Sequence, residues 1–164
     1  MISAIVAVDN DFGIGYNNQL LEHIPEDLQN FKKLTTDNFV VMGRKTYESL
    51  PKKPLPNRHN IVITTNVMIT ADKNVTYMTL KDFIHWCESY EHLLNIFIIG
   101  GQSIYKQLLP YCNSIYLTKI YKSHERVDTY FPNIDESLEW QGTAISDIKE
   151  YNSILYQFWH YSRK

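Results

Sequence analysis

The sequence predicts an α/β fold, a sheet flanked by helices. Apolar runs of strand length alternate along the chain with amphipathic segments of helical period. The first run, from Ile2 to Val8, is apolar on both faces, as expected of a central strand that is covered on each side. The last third of the chain instead alternates apolar and polar residues, which is typical of antiparallel strands.

Length and composition place the chain among ordinary soluble globular proteins. Its 164 residues suffice for a single domain, residues 1–164, and 44% hydrophobic with 21% charged residues exclude disordered and collagen-like chains. The formal net charge of -2 argues against nucleic acid or a membrane surface as partner and favours small molecules. Because no signal sequence or bilayer-length apolar run is visible, we expect a cytoplasmic protein.

The cysteines and histidines predict neither a metal site nor a nucleophile. Cys87 and Cys112 lack the paired spacing of a metal or redox motif, so we expect two buried, reduced thiols. The 6 histidines show no metal-ligand spacing. No serine or cysteine lies in a nucleophile-elbow sequence, which excludes a common class of hydrolase.

A long polar stretch from Asp9 to His23 follows the first strand. It is too long for a routine connection, and we interpret it as a mobile active-site loop. A helix then begins at Pro25, a residue suited to the first helical position, and extends to Leu34 with acidic residues in its first turn.

The rest of the chain supplies further strands and helices. Apolar runs predict strands at 39–43, 60–64, 75–78 and 95–99, and helical periodicity predicts helices at 44–50, 80–87 and 102–109. Pro51 ends the first of these helices and opens a proline-rich loop. Thr79 opens the next helix with a capping-box pattern that includes Asp82. Strands at 114–120, around 140–146 and at 154–161 complete the chain.

Two junctions between a strand and a helix carry residues suited to an anionic ligand. Gly100 and Gly101 end the most hydrophobic strand, where free backbone N–H groups form an anion site; a plain tight turn is the alternative. At the other junction Gly43 precedes Arg44 and Lys45, whose charges oppose the helix dipole. A solvated basic turn is one explanation and a bound phosphate the other. The two junctions together favour a phosphorylated ligand.

Asp27 is the most notable carboxylate of the chain. The helical pattern places it beside Leu28 and Phe31, which we expect to face inward, and close to the long polar stretch. The residues alone leave two interpretations open. Asp27 is either a functional carboxylate or, as the residues alone favour, an acid that stabilises the first turn of its helix as Glu26 does.

Motifs distributed across the whole chain resemble those of the dihydrofolate reductase family. They are Ile14-Gly15, Pro25-Glu26-Asp27-Leu28 with Phe31, the run from Met42 to Leu50, Leu55-Pro56-Asn57-Arg58, the run from Ile98 to Tyr105, Leu117-Thr118, and the run from Asp128 to Pro132. The resemblance implies a three-layer α/β domain with a central, mostly parallel eight-stranded sheet, helices on both faces and an antiparallel C-terminal strand. It also implies reduction of 7,8-dihydrofolate to 5,6,7,8-tetrahydrofolate by hydride transfer from NADPH.

The resemblance implies a substrate site around Asp27. Asp27 would be the catalytic residue that binds the pterin and promotes protonation of N5, and Thr118 would hydrogen-bond to it. Arg58 would pair with the α-carboxylate of the substrate's glutamate, with Lys52 or Lys53 at the rim of the pocket. The apolar walls would be Ile5, Leu28, Phe31, Leu50, Leu55 and Ile99. We also expect diaminopyrimidine antifolates as ligands and a monomeric protein.

The same resemblance implies the NADPH site. The residues near nicotinamide, ribose and pyrophosphate would be Ala7, Ile14, Gly15, Tyr16, Asn17, Asn18, Gln19, Leu20, Gly43, Thr46, Gly100, Gly101, Gln102, Ser103, Ile104 and Tyr105. The residues near the adenosine 2′-phosphate would be Arg44, Lys45, Thr64 and Thr65, with Thr79 as a further cofactor contact. The family joins the two adjacent glycines by a cis peptide, and we expect one here.

The chain departs from the family pattern at a few positions. Leu21 and Glu22 stand where proline and tryptophan are usual. Glu22 either points into solvent or lies near enough to Asp27 for the two carboxylates to titrate together. Ser103 replaces a basic residue, which we expect to weaken selectivity for NADPH. Asn57 replaces a common glycine at a position that we expect to need positive φ.

Two other functions stay open at the level of sequence. One is a related NADPH-dependent reductase that acts on another pterin or on a pyrimidine; Asp27 together with Arg58 argues against it. The other is a nucleotide-binding protein of the same fold that has lost turnover, for which Glu22 is the best argument.

Overall fold

The apolar runs of the sequence form the strands of two sheets. In the computed structural model, which describes residues 1–164, the strands are β1 (Ile2–Val8), β2 (Gly13–Tyr16), β3 (Gln19–Leu20), β4 (Phe39–Gly43), β5 (His59–Ile63), β6 (Val75–Met78), β7 (Ile96–Gly100), β8 (Ser114–Ile120), β9 (Thr129–Tyr130), β10 (Trp140–Ala144), β11 (Lys149–Tyr151) and β12 (Ile154–Arg163). The helices are α1 (Pro25–Thr35), α2 (Arg44–Ser49), α3 (Leu80–Tyr90) and α4 (Gln102–Leu108).

The large sheet is mostly parallel. Its strands lie in the order β10-β12-β8-β1-β7-β4-β5-β6, and β11 adds a ninth strand by pairing with β12. The pairs from β8 across to β6 are parallel, whereas β12 is antiparallel to its neighbours. The predicted class, the mostly parallel sheet and the antiparallel C-terminal strand are therefore confirmed.

Different helices cover the two faces of this sheet. Side chains that alternate along a strand belong to separate hydrophobic clusters, because successive strand residues point to opposite faces. Val41 packs in the cluster that contains Phe83 of α3 and residues of α4. Its neighbour Val40 packs in the cluster that contacts Phe31 of α1 and Tyr47 of α2. The three-layer architecture expected from the resemblance is thus present.

The polar stretch between β1 and α1 is partly regular, which corrects its interpretation as a loop throughout. β2 and β3 form an antiparallel hairpin, and β9 joins β2 to complete a small three-stranded sheet. Asn17 and Asn18 connect the hairpin with φ of 51° and 61°, the positive values that a type I′ turn requires. The Asn-Asn pair was the sequence signal for this turn.

The remaining differences concern short or shifted elements. α3 extends to Tyr90 instead of ending at Cys87, and the short strands β9 and β11 were not predicted. Both cysteines are buried free thiols, as expected. None of the helices has the length and apolar character that a membrane crossing needs.

Candidate active site

The two glycine junctions lie side by side at the carboxyl ends of the adjacent strands β4 and β7. A Cβ atom at Gly43 would lie 3.2 Å from Ile104, and one at Gly101 would lie 3.2 Å from the Thr46 hydroxyl. Each junction therefore needs the small residue that lets the other helix approach. The Gly100–Gly101 peptide is cis, as expected. The result is one narrow cradle where α2 and α4 begin.

The basic residues at the first junction differ in their partners. Arg44 Nη1 donates to the Glu48 carboxylate at 2.9 and 3.1 Å, one turn later on α2. Arg44 is therefore paired within its own helix, and its predicted contact with the 2′-phosphate stays a prediction. Lys45 is exposed and makes no ion pair. Lys45 is thus the cation at this junction that is free for an anionic ligand.

The threonines predicted near the 2′-phosphate have mixed roles. Thr64 is buried just after β5, where its hydroxyl accepts the Asn66 backbone N–H at 3.1 Å. Thr65 is exposed beside it. The Thr79 hydroxyl accepts the Asp82 backbone N–H at 3.1 Å and so caps α3. The capping pattern predicted from the sequence is therefore present, and the Thr79 hydroxyl is engaged in capping α3.

The hairpin and the start of α4 carry the other predicted cofactor residues. Residues 16–20 are exposed on the hairpin, while Gly15 is buried against β9. Gln102 accepts the Tyr130 backbone N–H at 2.7 Å, which ties α4 to the small sheet. Tyr105 is buried and donates to the Ile5 carbonyl at 2.7 Å. Burial raises the pKa of the Tyr105 phenol, so this hydroxyl stays a hydrogen-bond donor.

Asp27 lies in the first turn of α1 and faces β8. Thr118 Oγ1 donates to Asp27 Oδ1 at 2.6 Å, which is the hydrogen bond expected from the resemblance. Burial raises the pKa of Asp27, and the Thr118 hydrogen bond opposes that rise. No cationic side chain pairs with Asp27. Asp27 is therefore a carboxyl group that gains or loses a proton nearer to neutrality than an exposed aspartate does.

Most of the predicted apolar wall forms one cluster, which includes Phe31, one helical turn after Asp27 on α1. Its members are Ile5, Phe31, Leu50, Leu55 and Ile99, packed with Val40, Met42 and Phe97. Leu28 does not belong to it and is 43% exposed. The protein itself therefore does not bury Leu28, and its place in the wall of the substrate site stays a prediction.

Arg58 is a buried guanidinium without an acidic partner. Its Nε donates to the Pro56 carbonyl at 2.8 Å and its Nη1 to the Thr35 hydroxyl at 3.1 Å. The guanidinium carbon lies 5.9 Å from the centre of the Phe31 ring. Burial lowers the pKa of Arg58, from a value so high that the group stays charged. A cation that is held in place and left unpaired is suited to bind a carboxylate.

Asn60 fixes the loop that carries Arg58, a role that sequence reasoning missed. Its side-chain amide donates to the carbonyls of Leu55 and Arg58 at 3.0 and 3.1 Å and accepts the Leu55 N–H at 3.0 Å. The available signal was a single asparagine at the start of an apolar strand. Asn57 in the same loop has φ of 58°, which confirms the positive φ expected there.

Glu22 takes neither of the two positions considered for it. Its carboxylate contacts His124 Nε2 at 2.9 Å and Lys122 Nζ at 3.1 Å. Burial raises the pKa of Glu22, but the hydrogen bonds from His124 and Lys122 outweigh it and lower the pKa overall. Glu22 is thus paired away from Asp27, and the idea that the two carboxylates titrate together is wrong.

The sheet is mostly parallel and has a glycine-lined cradle at its carboxyl edge, with a half-buried carboxyl group in the first turn of α1. Together these features define an α/β enzyme of the nucleotide-binding type. The family model described as dihydrofolate reductase matches residues 1–163. The chain belongs to the dihydrofolate reductase family.

Individual relatives agree with this family. The chain is similar to dihydrofolate reductase of Bacillus subtilis (strain 168), with 40% identity over 100% of this chain and 95% of the relative. It is 37% identical to dihydrofolate reductase of Staphylococcus aureus (strain Mu50 / ATCC 700699), over 99% of this chain and 98% of the relative. A solved structure of the Enterococcus faecalis enzyme, complexed with NADP(H) and RAB-propyl, superposes with a TM-score of 0.84 at 34% identity, covering 100% of this chain and 96% of that one.

Proposed function

We propose that the chain, as a single domain over residues 1–164, reduces 7,8-dihydrofolate to 5,6,7,8-tetrahydrofolate with NADPH. The observation that carries this proposal is Asp27, a carboxyl group whose pKa burial raises and which Thr118 holds at 2.6 Å beside an apolar wall. Family membership over residues 1–163 supports the same reaction. The residues of this chain supply binding, orientation and a proton.

Asp27 binds the pterin and promotes its protonation. Thr118 takes one acceptor site of Oδ1, so the second site of Oδ1 and both sites of Oδ2 are left to accept hydrogen bonds from the amino group and adjacent ring nitrogen of the pterin. Because burial raises the pKa of Asp27, its carboxyl group stays protonated to a higher pH than an exposed aspartate and can promote delivery of a proton to N5. The apolar wall formed by Ile5, Phe31 and Leu50 takes the flat faces of the substrate.

Arg58 binds the glutamate tail of dihydrofolate. Its Nε and Nη1 are held by Pro56 and Thr35, which orients the guanidinium and leaves Nη2 for the substrate's α-carboxylate. Lys52 is exposed on the neighbouring loop and makes no ion pair, so it is placed to assist at the rim.

The residues at the cradle fit a dinucleotide. Gly43 and Gly101 let α2 and α4 begin close together, since a Cβ atom at either position would lie 3.2 Å from Ile104 or from the Thr46 hydroxyl, and backbone N–H groups at such junctions suit a phosphate. Lys45 and Thr65 are exposed beside the cradle and suit a 2′-phosphate, which favours NADPH over NADH. When bound, NADPH supplies the hydride. The hairpin residues 14–20 and residues 102–105 enclose the site, and the Enterococcus relative complexed with NADP(H) supports this assignment.

The proposal extends to ligands, assembly and location. A protonated diaminopyrimidine presents two adjacent N–H donors to Asp27, so antifolates of this class are proposed ligands. A formal charge of -2 gives the chain no overall positive potential that would attract nucleic acid. We also propose that the protein is a cytoplasmic monomer. Sedimentation equilibrium tests the monomer, and a dimer at micromolar concentration contradicts it.

The decisive experiment mixes the purified protein with NADPH and 7,8-dihydrofolate and follows the loss of NADPH absorbance. Turnover that yields tetrahydrofolate supports the proposal. Consumption of NADPH only with another pterin or with a pyrimidine would identify a related reductase instead. Tight NADPH binding without turnover on any of these substrates would contradict a reductase.

Lys45→Gln is expected to raise the KM for NADPH by roughly tenfold and to leave the KM for NADH unchanged. One charge-assisted hydrogen bond to phosphate accounts for a change of this size. Lys45 is exposed, so the substitution should leave the fold intact. Initial rates with the two cofactors at saturating dihydrofolate measure the effect. An equal loss with NADH would show that Lys45 does not contact the 2′-phosphate.

Thr118→Val is expected to shift the pH dependence of catalysis upward. The Thr118 hydroxyl donates to Asp27 and stabilises the charged carboxylate, so its removal lets burial raise the Asp27 pKa further. The pH at which the pre-steady-state rate of NADPH oxidation falls to half should therefore rise. Stopped-flow measurements across pH test this shift, and an unchanged or lowered midpoint would contradict the role of Thr118.

A further inference from the structure

The ion pair on α2 places a carboxylate beside the proposed 2′-phosphate site. Arg44 Nη1 lies 2.9 Å from Glu48 Oε1 and 3.1 Å from Glu48 Oε2. The two residues are four positions apart in the chain, so they share one face of the helix. Glu48 therefore holds a negative charge next to a residue that is proposed to bind the phosphate of NADPH.

The pair cancels one of the two positive charges at this junction. Arg44 and Glu48 together carry no net charge, and Lys45 makes no ion pair of its own. A phosphate monoester carries roughly two negative charges near neutrality. The free protein thus presents less positive charge to a 2′-phosphate than the adjacent residues Arg44 and Lys45 would present without Glu48.

The pair is exposed, so its partners can exchange at small cost. The side chains of Arg44 and Glu48 are 50% and 54% exposed. An exposed ion pair between residues one helical turn apart changes an equilibrium constant only about twofold. Water can solvate the Glu48 carboxylate after Arg44 leaves it, because about half of that side chain already faces solvent. Arg44 can therefore turn from Glu48 to a bound phosphate.

A role for Glu48 in orienting Arg44 would have the opposite sign, and the structure argues against it. An exposed pair leaves the guanidinium free to move, whereas the buried Arg58 is held by both Thr35 and Pro56. The Glu48 charge also repels a phosphate, and this repulsion acts whether or not Arg44 is oriented. The charge of Glu48 therefore decides the sign of its effect on cofactor binding.

We propose that Glu48 is a specificity-determining residue, which competes with the 2′-phosphate of the cofactor for Arg44 and so limits the preference for NADPH over NADH. The inference rests on the proposed function, because that function places the 2′-phosphate beside Arg44 and Lys45. NADP⁺ carries the same phosphate, so Glu48 weakens the binding of the reduced and the oxidised cofactor alike. Return of Arg44 to Glu48 then favours the release of NADP⁺ after the reduction.

Glu48→Gln tests the competition, because glutamine keeps the length of the side chain and removes its charge. The Kd for NADPH and the Kd for NADP⁺ should both fall about two- to fivefold, while the Kd for NADH should change less than about 1.5-fold. Isothermal titration calorimetry measures all three on the substrate-free protein. An unchanged or higher Kd for NADPH would overturn the proposal, and so would an equal fall for NADH, which has no 2′-phosphate.

Glu139→Gln is the matched control. Glu139 also forms an exposed ion pair with an arginine, Arg163 at 3.6 Å, which ends β12. Three strands of the large sheet lie between β12 and β4, the strand that leads into α2. Both substitutions remove one negative charge, but only Glu48→Gln releases an arginine beside the cofactor. The three Kd values of Glu139→Gln should match those of the unmodified protein within about 1.5-fold. A fall in the NADPH Kd as large as that of Glu48→Gln would show that net charge is the cause and would overturn the proposal.

A double-mutant cycle separates competition for Arg44 from simple repulsion of the phosphate. Arg44→Gln should raise the Kd for NADPH, and Glu48→Gln added to it should bring a smaller gain than in the unmodified protein, because no arginine is left to release. If Glu48→Gln improves NADPH binding by the same factor in both backgrounds, the competition is overturned. Binding is measured without dihydrofolate, so a protein that binds NADPH and does not reduce dihydrofolate contradicts the proposed function and leaves the cycle to decide on Glu48.

Discussion

Asp27→Asn is expected to slow NADPH oxidation in the presence of dihydrofolate by roughly 10²- to 10⁴-fold, the usual contribution of a positioned acid–base group. The carboxamide retains the shape of the carboxylate and can still accept the Thr118 hydrogen bond. It has no ionisable proton to direct toward N5. Stopped-flow absorbance in a single turnover measures the rate of the reaction itself, free of product release.

The pH dependence of the single-turnover rate tests the direction in which the Asp27 pKa is shifted. Burial raises the pKa of Asp27, so the protonated form persists to higher pH than in an exposed aspartate. The rate in the unmodified protein should therefore fall as the pH rises through this raised pKa, and the profile of Asp27→Asn should lose that step. Glu26→Gln is the matched control, since the adjacent Glu26 contacts Tyr156 and Lys149 outside the proposed site. A similar loss of rate in Glu26→Gln would contradict the assignment.

The same substitution should stabilise the folded protein at high pH. A carboxyl group whose folded pKa is raised contributes stability below its unfolded pKa, and that stability is lost as the pH rises through the folded pKa. Asparagine stays neutral and avoids this loss. The Tm of Asp27→Asn should therefore exceed that of the unmodified protein at about pH 8, with a smaller difference at about pH 4. A lower Tm at high pH would contradict burial of the charged form.

The elements with strong local signals were predictable from the sequence. β1 is a run of apolar residues that two layers cover, and α1 begins at a proline followed by two acidic residues. Each of these signals lies within a short stretch of sequence, so it can be recognised locally. Burial of the apolar side chains then decides which face of the element turns inward. The strands β9 and β11 have two and three residues, which is too short for a period to show, and only their partner strands stabilise them.

Functional residues that a single segment of the chain identifies were predictable from the sequence. Contacts between residues far apart in the chain were not. The glycine junctions and Asn57 are visible as residue types that particular backbone conformations require. The contact between Glu22 and His124 joins residues 102 apart in the chain, and no local pattern marks it. Leu28 shows a further limit, because helical periodicity selects a face without saying whether anything covers that face.

Arg58→Leu is expected to raise the KM for dihydrofolate by roughly 10²- to 10³-fold with little change in kcat. Removing one partner of a charge-assisted, partly buried carboxylate pair costs about 2–5 kcal/mol in binding, and the glutamate tail lies away from the reacting atoms. Arg58→Lys should show an intermediate loss, because an ammonium keeps the charge without the planar fork. Initial rates over a range of dihydrofolate concentrations measure both parameters.

A substrate without the glutamate tail separates binding by Arg58 from its structural contacts. Arg58 also donates to Pro56 and Thr35, so a variant could lose activity by moving the loop and α1. With 6-methyl-7,8-dihydropterin, which has no carboxylate to bind, Arg58→Leu and the unmodified protein should have the same kcat/KM within about twofold. If the variant loses as much activity on the tail-free pterin as on dihydrofolate, Arg58 maintains the shape of the pocket and another residue binds the carboxylate.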